Sequence, residues 1–487
     1  FLLYQLSTIL GVSEESINNK LGMSYVKDDT FVPIKNVAKT ENQLKEQALG
    51  IPGVKITTES ARVYTLGKEA SQLIGYVQAI SAEELEENKG KGYNSNSIIG
   101  KAGIEKVYEE TLRGKDGKEI YIEDENGKKV KTIAKQEVEN GKDVKLTIDA
   151  NKQKQIYESL EENKGAYVAM DSKTGEIIAL VSTPSYDSND FALGMSTEEW
   201  KNLNEDEKNP LLNRFTKAWS PGSTFKPVTG AIGITEGIIN PEEDFGRSGL
   251  SWQKDSSWGS YMVTTLTPYN EPANMQNALI RSDNIYFAKV ALKIGYNKFM
   301  SELNKLGFNE DINFEIGTTK STYDTDGEIT DEVQLADSGY GQGQILINPL
   351  HLASIYSAFS NDGNIIEPTL LYNPNYNPNI WMPEVIQKES IHTVLETMKK
   401  VISEPTATGY GLHREDYTLA GKTGTAEIKL SKEDETGTEL GWMAVFTTDP
   451  NIENPILLIS MVEDVKNIGG SGYVVQKDKR VLDQYLR

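Results

Sequence analysis

Apolar residues recur at helical spacing near the start of the chain and in strand-like runs farther along it. Leu2, Leu6 and Leu10 are four residues apart, and Ile17 and Leu21 repeat this spacing, which predicts two amphipathic helices. Residues 115–143 are instead rich in charge and glycine with short alternating runs, which predicts exposed β-hairpins with a solvated charged face. We interpret residues 1–145 as a non-catalytic, pedestal-like N-terminal domain.

Residues 146–487 are predicted to form a large second domain. Strands at 144–148 and 166–170 bracket a helix near 152–160, and a mostly helical middle follows. Three further strands are predicted near the end of the chain, at 417–428, 441–447 and 455–463. Strands at both ends of a helical middle predict a mixed antiparallel sheet with helices packed on it. The fold class is therefore multidomain α+β/α/β.

The amino-acid composition argues against several classes of function. The chain has 487 residues, which is long for one domain, and a net charge of -22, which argues against nucleic-acid binding through phosphates. It has no cysteine and three scattered histidines, so we expect no disulfide, no metal site and no cofactor. His351, His392 and His413 are expected to be surface or packing residues. No apolar run is long enough to cross a bilayer.

Three short motifs occur in a fixed order along the second domain: Ser223-Thr224-Phe225-Lys226, Ser282-Asp283-Asn284 and Lys422-Thr423-Gly424. A serine hydroxyl is a weak nucleophile at neutral pH and needs a base within hydrogen-bond reach. A lysine three residues later on a helix lies on the same face as the serine. The ordered set indicates a serine acyl-transfer site that works without histidine.

The surroundings of Ser223 predict the start of a helix. Ser220-Pro221-Gly222 is a turn signal, and a mostly apolar segment follows it. Pro227 would clash with the carbonyl of Ser223 inside a helix, so Ser223 must lie at the helix N-terminus. There the backbone N–H groups are unpaired and can hold a developing oxyanion.

The second motif is predicted to connect two helices. In such a loop Ser282 can relay a proton to the leaving group, Asn284 can donate to a substrate carbonyl, and Asp283 is expected to bond local backbone. The same three residue types are also favoured as plain helix caps, so this motif by itself is ambiguous.

The third motif is predicted to lie on a strand whose glycines leave one face bare. An extended peptide could pair with this strand, while Lys422, Thr423 and Thr425 receive a terminal carboxylate. We also expect Lys422 to lower the pKa of Lys226, which would help Lys226 act as a neutral base.

Partial copies of the motifs occur elsewhere. Ser24 to Lys27 and Ser251 to Lys254 repeat the first spacing, Ser16-Ile17-Asn18 imitates the second motif, and Lys173-Thr174-Gly175 repeats the third. We interpret the last of these as a hairpin turn, because apolar runs flank it on both sides.

The three motifs and several longer segments resemble class B penicillin-binding proteins, which are monofunctional peptidoglycan D,D-transpeptidases. The resemblance covers nearly the whole chain. The longer segments that carry it are 99–105, 112–114, 146–149, 181–187, 339–344 and 347–349.

The resemblance implies a role for each motif residue. Ser223 would be the acylated nucleophile and Lys226 its base, with Ser282 and Asn284 as proton relay and substrate ligand. Lys422, Thr423, Gly424 and Thr425 would bind the substrate carboxylate, and the backbone N–H groups of Ser223 and Thr425 would form the oxyanion hole. The implied fold is a C-terminal, serine β-lactamase-like transpeptidase domain, with an antiparallel sheet flanked by helices, together with an N-terminal, dimerisation-like pedestal domain.

The same resemblance implies substrates, partners and a location. Ser223 would be acylated by stem peptides ending in D-Ala-D-Ala, and by β-lactam antibiotics. A glycan polymerase and divisome or elongasome proteins would be partners. The chain begins at Phe1 and is expected to lack a membrane anchor that would hold the catalytic domain on the outer face of the cell membrane.

Segments 251–259 and 426–442 resemble more specifically the low-affinity subgroup associated with methicillin resistance, although Phe225 stands where its best-known member has glutamine. Two alternatives share the motifs: a serine β-lactamase and a β-lactam sensor domain. Class A β-lactamases use a glutamate in an E-x-x-L-N context, and Glu302-Leu303-Asn304 has the wrong spacing for it. Carboxypeptidation differs from transpeptidation only in its acceptor, so the residues leave it open.

Overall fold

The computed structural model describes residues 1–160, 163–428 and 437–486, which form two compact units. The first unit contains Phe1–Asp143 together with Ser185–Leu211. The second contains Val144–Pro184 together with Leu212–Arg487. The sequence-based division into 1–145 and 146–487 therefore differs from this partition in the segment Ser185–Leu211.

The described residues form 18 α-helices and 13 β-strands. The α-helices are α1 (Leu2–Leu10), α2 (Glu14–Leu21), α3 (Asn42–Leu49), α4 (Ser71–Ile74), α5 (Ala82–Glu87), α6 (Gly103–Val107), α7 (Glu109–Leu112), α8 (Ala150–Leu160), α9 (Ser188–Leu193), α10 (Thr197–Glu205), α11 (Lys226–Thr235), α12 (Met275–Arg281), α13 (Asn284–Ile294), α14 (Tyr296–Lys305), α15 (Glu332–Ser338), α16 (Pro349–Ser357), α17 (Lys388–Ser403) and α18 (Ser471–Tyr485). The β-strands are β1 (Val77–Ala79), β2 (Ile98–Gly100), β3 (Lys118–Glu123), β4 (Lys129–Gln136), β5 (Gly165–Met170), β6 (Ile177–Thr183), β7 (Ser251–Trp252), β8 (Val263–Thr264), β9 (Ile365–Ile366), β10 (Ile380–Met382), β11 (Leu419–Ile428), β12 (Thr438–Thr447) and β13 (Leu457–Val462).

The first unit confirms the predicted helices and the predicted exposed hairpin. The apolar faces of α1 and α2 meet α3 in a small core that contains Leu6, Leu10, Ile17 and Ala48. Strands β3 and β4 pair antiparallel, and every residue of both strands is exposed. The charge-rich stretch therefore forms a solvated two-stranded ribbon.

Aromatic packing explains why Ser185–Leu211 belongs to the first unit. The ring of Phe191 stacks on Tyr76 at 4.0 Å, and Tyr186 meets both rings edge-on. Asn189 exchanges two hydrogen bonds with the backbone of Tyr64, each 2.9 Å long. These partners lie more than a hundred residues earlier in the chain, so no local pattern in the sequence indicates them.

The second unit is built on a five-stranded sheet with the order β11-β12-β13-β5-β6, in which every neighbouring pair is antiparallel. Alternate residues of the central strands face opposite sides, and β13 and β5 are buried throughout. Helices α8 and α18 pack on one face, while α16 packs against β13 and β5. The predicted antiparallel sheet flanked by helices is confirmed.

One predicted strand is wrong. Residues 144–148 form no strand, and only Leu146 makes an isolated bridge, to Leu371. Thr147 also donates its N–H to the carbonyl of Leu370. The two segments therefore pair only over a short stretch and do not form a continuous β-ladder. Among the described residues, no helix combines the length and the apolar character that a bilayer span requires.

Candidate active site

Ser223 lies in a tight turn that leads directly into α11. The turn is a 3-10 helix over Gly222–Phe225, and α11 begins at Lys226 with Pro227 in its first turn. Proline is tolerated there because the first N–H groups of a helix have no intrahelical partner. Ser223 is partly exposed, whereas Thr224 and Phe225 are buried. The predicted position of the serine at a helix start is confirmed.

The second motif connects α12 and α13, as predicted. Ser282 adopts a left-handed backbone conformation with φ 56° and turns the chain between the two helices. The Asp283 carboxylate caps α13 by accepting the N–H of Ile285 at 2.8 Å, and it also accepts the hydroxyl of Tyr269 at 2.7 Å. Asp283 therefore holds the loop, which leaves Ser282 and Asn284 to face the lysines.

Two lysines converge on the hydroxyl of Ser282. The Nζ of Lys226 lies 3.1 Å from Ser282 Oγ, and the Nζ of Lys422 lies 2.9 Å from the same atom. Lys226 also donates to the Ser282 carbonyl and to Asn284 Oδ1, both at 2.7 Å. Since Asn284 in turn donates to the carbonyl of Thr264 at 2.8 Å, the orientation of its amide is determined.

Burial lowers the pKa of both lysines. Each side chain is fully buried. Burial and then the charge of Lys422 hold the pKa of Lys226 well below its ordinary value, while the carboxylate of Asp283 opposes this. Burial lowers the pKa of Lys422 to about 7. Burial thus favours the neutral form of both amines, and the neutral form is the one that can accept a proton.

Strand β11 carries the third motif along the edge of the sheet, beside the Ser223 turn. A side chain at Gly424 would come within 2.8 Å of Thr224, and one at Gly222 would come within 2.3 Å of the carbonyl oxygen of Thr425. Gly222 also has φ 52°, a conformation that favours glycine. The two glycines allow the turn and the strand to approach closely enough to share one site.

The structure thus brings together most of the predicted site residues. Lys226, Ser282, Asn284 and Lys422 form one hydrogen-bonded cluster, and Lys422 Nζ also donates to the carbonyl of Thr423 at 2.9 Å. The backbone N–H of Lys226 donates to the Ser223 carbonyl, but among the described residues no hydrogen bond joins the Ser223 hydroxyl to Lys226 Nζ. The lysine instead points to the loop between α12 and α13.

Several contributors to the site have no signal in the motifs. The hydroxyl of Thr408 lies 2.5 Å from that of Thr423, and Tyr269 and Thr264 anchor the middle motif. Gly341 accepts the N–H of Gly222 at 2.9 Å. Gly341 belongs to a segment that carries the family resemblance, and this is the one signal that could have indicated it.

The partial motif copies lie elsewhere. Lys173 and Thr174 form the turn between β5 and β6, where their N–H groups donate to Asp171. Lys254 forms an ion pair with Glu332.

Glu302 is buried and forms an ion pair with Lys305 on its own helix. His351 is buried and hydrogen-bonded to Ser321, which confirms it as a packing residue.

Comparison with known proteins agrees with this geometry. The family model described as the penicillin binding protein transpeptidase domain matches residues 165–482, and the penicillin-binding protein dimerisation domain matches residues 2–146. Penicillin-binding protein 3 of Bacillus subtilis is 42% identical over 477 residues, covering 98% of this chain and 70% of the relative. Peptidoglycan D,D-transpeptidase MrdA of Haemophilus influenzae is 28% identical over 520 residues, covering 99% and 78%.

Solved structures share the fold. Helicobacter pylori PBP2, in a complex with MreC, superposes with a TM-score of 0.79 at 23% identity and covers 100% of this chain and 91% of its own. Pseudomonas aeruginosa PBP2, in a complex with WCK 5153, superposes with a TM-score of 0.72 at 25% identity and covers 89% and 93%.

The fold and the family matches define a serine-type acyl-transfer enzyme with a penicillin-binding transpeptidase domain. The chain belongs to the class B penicillin-binding proteins, which combine that domain with a dimerisation domain. The predicted activity, peptidoglycan D,D-transpeptidation, is confirmed, and the β-lactamase and sensor alternatives are not favoured.

Proposed function

We propose that this chain cross-links peptidoglycan through an acyl-enzyme at Ser223. The Ser223 Oγ attacks the penultimate D-Ala carbonyl of a stem peptide, a C–O bond forms, and the C–N bond to the terminal D-Ala breaks. An amine of a neighbouring stem then displaces the serine and closes the cross-link. The observation that carries this proposal is the convergence of Lys226 and Lys422 on Ser282 Oγ, close to the Ser223 turn.

Lys226 is the base in this scheme. Its lowered pKa supports a neutral amine that accepts the Ser223 proton when substrate binds. Ser282 Oγ is hydrogen-bonded to Lys226, so the proton has a path from the lysine to the leaving amine through this hydroxyl. Catalytic hydrogen bonds often form only in the substrate complex, which agrees with the separate positions of Ser223 and Lys226 here.

The edge of β11 supports the assignment of the oxyanion hole. The carbonyl of Thr425 faces Gly222, and the N–H and carbonyl of one strand residue point to the same side. The N–H of Thr425 therefore lies on the edge beside the Ser223 turn, where it can act with the Ser223 N–H on the developing oxyanion. Lys422, Thr423 and Thr425, with Gly424 between them, bind the terminal carboxylate.

The test is covalent labelling with a fluorescent penicillin, read on a denaturing gel and mapped by peptide mass. We expect one adduct on Ser223 and none in Ser223→Ala, with thermal unfolding of the variant within about 2 °C of the wild type, since a single partly exposed hydroxyl is lost. Ser185→Ala, at another partly exposed serine, which lies outside the second unit, serves as the matched control. Labelling of Ser223→Ala at full strength would refute the assignment.

Membership of the low-affinity subgroup is a further part of the proposal. Segments 251–259 and 426–442 support it, although residues 429–436 lie outside the described residues. Phe225 is fully buried and meets Phe308 edge-on at 6.0 Å, so it acts in the core beneath the turn. A slow second-order rate constant for acylation, compared with that of a β-lactam-sensitive relative, would support the subgroup, and an equal constant would exclude it.

Partners and location complete the proposal. The solved PBP2–MreC complex supports an elongasome protein as a partner of this chain, and a glycan polymerase is the enzyme class that must supply its substrate strands. Because the stem peptides of peptidoglycan lie outside the cytoplasmic membrane, we place the catalytic unit on the outer face of that membrane.

A further inference from the structure

Thr408 belongs to none of the motifs, although its hydroxyl oxygen lies 2.5 Å from the hydroxyl oxygen of Thr423. The two side chains differ in their surroundings. Thr423 is only 2% exposed, whereas Thr408 is exposed to solvent. The pair therefore connects a buried hydroxyl of the third motif to a side chain at the margin of the site.

The backbone on both sides of Thr408 is held in place. Ala407 is buried, and its N–H donates to the carbonyl of Glu404 at 2.9 Å. Gly409 packs so closely on the end of α17 that a side chain there would come within 2.8 Å of Ile402. Since α17 itself packs against β11, the Thr408 hydroxyl is presented to Thr423 from a rigid support.

The hydrogen-bonding capacity of Thr423 explains what this contact does. A hydroxyl has one proton and two acceptor lone pairs. Lys422 Nζ lies 3.4 Å from Thr423 Oγ1, and in the charged form that binds a carboxylate this amine can only donate. When Thr408 also donates, both lone pairs of Thr423 are occupied, and its single proton has to point to a third group. In the proposed function that group is the carboxylate of the ligand.

We propose that Thr408 is a positioning residue for carboxylate recognition: its O–H donates to Thr423 Oγ1 and directs the Thr423 proton to the terminal carboxylate of the stem peptide or of a β-lactam. This inference rests on the proposed function and adds a residue that determines how its substrate is recognised. The residue acts through Thr423 and does not take part in the acyl transfer itself.

The test compares acylation by benzylpenicillin with acylation by its methyl ester, which lacks the carboxylate. Second-order rate constants are measured by intact mass for the wild type, Thr408→Val, Thr408→Ser and the control Thr406→Val, which changes an exposed threonine two residues away. We expect Thr408→Val to lower the constant for benzylpenicillin about tenfold, the effect of losing one hydrogen bond to a charged ligand. The constant for the ester should stay the same, and Thr408→Ser should retain the wild-type value for both compounds.

The outcomes separate this inference from the proposed function. Equal losses for acid and ester in Thr408→Val would indicate a merely structural role and overturn the inference. Unchanged constants for both compounds, or a wild type that does not prefer the acid, would overturn it as well. A wild type that forms no adduct with either compound would refute the proposed function, and the role of Thr408 with it.

Discussion

The Nζ of Lys422 lies 2.9 Å from the Oγ of Ser282, although 140 residues separate them in the chain. Lys226 contacts the same oxygen at 3.1 Å, so two buried amines share one hydroxyl. Two full charges at this spacing repel each other strongly in a buried site, which favours loss of a proton from one of them. The charges around Lys226 therefore determine how the rate of acylation varies with pH. Two of these charges, those of Lys422 and Asp283, can be changed separately.

Lys422→Gln removes the nearby charge that lowers the pKa of Lys226. Because Lys226 must be neutral to act as base, acylation increases as pH rises through its pKa. We expect the midpoint of this acidic limb to move to higher pH in the variant. The rate on the plateau should also fall about tenfold, since one contact to the ligand carboxylate is lost. The measurement is the rate of penicillin acylation against pH, and an unmoved midpoint would contradict the coupling of the two lysines.

Asp283→Asn should move the same midpoint in the opposite direction. The Asp283 carboxylate raises the pKa of Lys226, so its removal lowers this pKa further and moves the acidic limb to lower pH. Asparagine is also a good helix cap and can still accept the N–H of Ile285. Tyr269→Phe is the matched control, because it removes the hydrogen bond to Asp283 and keeps the charge. A midpoint that moves equally in both variants would show that loop geometry and not charge controls it.

Gly222→Ala should separate the Ser223 turn from β11. The added methyl group would lie 2.3 Å from the Thr425 carbonyl, so one of the two elements must shift. A displacement of about 1 Å in a reacting group can cost about 100-fold in rate, and we expect a loss of acylation of that order.

Gly237→Ala is the control for this change. Gly237 also has a left-handed conformation, with φ 64°, but nothing lies within 4 Å of the added methyl group. Both variants should lose about 1 kcal/mol of unfolding free energy from backbone strain, and only Gly222→Ala should lose acylation. Similar acylation rates in the two variants would mean that the close approach at Gly222 has no role in catalysis.

Asp478 should make the second unit less stable as pH rises. Its carboxyl is fully buried and accepts from Ser460 at 2.7 Å and from Tyr167, while its other oxygen has no hydrogen-bond partner among the described residues. Burial raises its pKa to about 7, so between about pH 4 and 7 the folded state binds the proton that the unfolded state has released. The free energy of unfolding then falls with rising pH by up to about 1.4 kcal/mol per pH unit from this group.

Asp478→Asn should remove that contribution, because the amide is neutral at every pH. Denaturant unfolding between pH 4 and 8 would show a flatter profile for this variant, while Asp326→Asn, at an exposed position, should retain the wild-type slope. The same slope in Asp478→Asn and in the wild type would show that the buried carboxyl is not the titrating group.

Features that depend on neighbouring residues can be predicted from the amino-acid order alone. Periodicity predicted α1, α2 and the strands of the large sheet, because the alternation of buried and exposed positions is set by residues close together in the chain. The same local logic placed Ser223 at a helix start, through Pro227, and Asp283 in a cap. The three motifs, taken in order, indicated the chemistry before any contact between them was known.

Contacts between distant residues depend instead on how whole helices and strands pack. Lys226 points to Ser282 and Asn284 and not to Ser223, although its spacing from Ser223 is the recognisable signal. The contact between Thr408 and Thr423 depends on how α17 packs against β11. The place of Ser185–Leu211 in the first unit depends on aromatic partners far earlier in the chain. Such contacts follow from the packing of whole elements. The lowered pKa values of the two lysines arise from the burial that this packing creates and, at Lys226, also from the charge of Lys422 that it brings close.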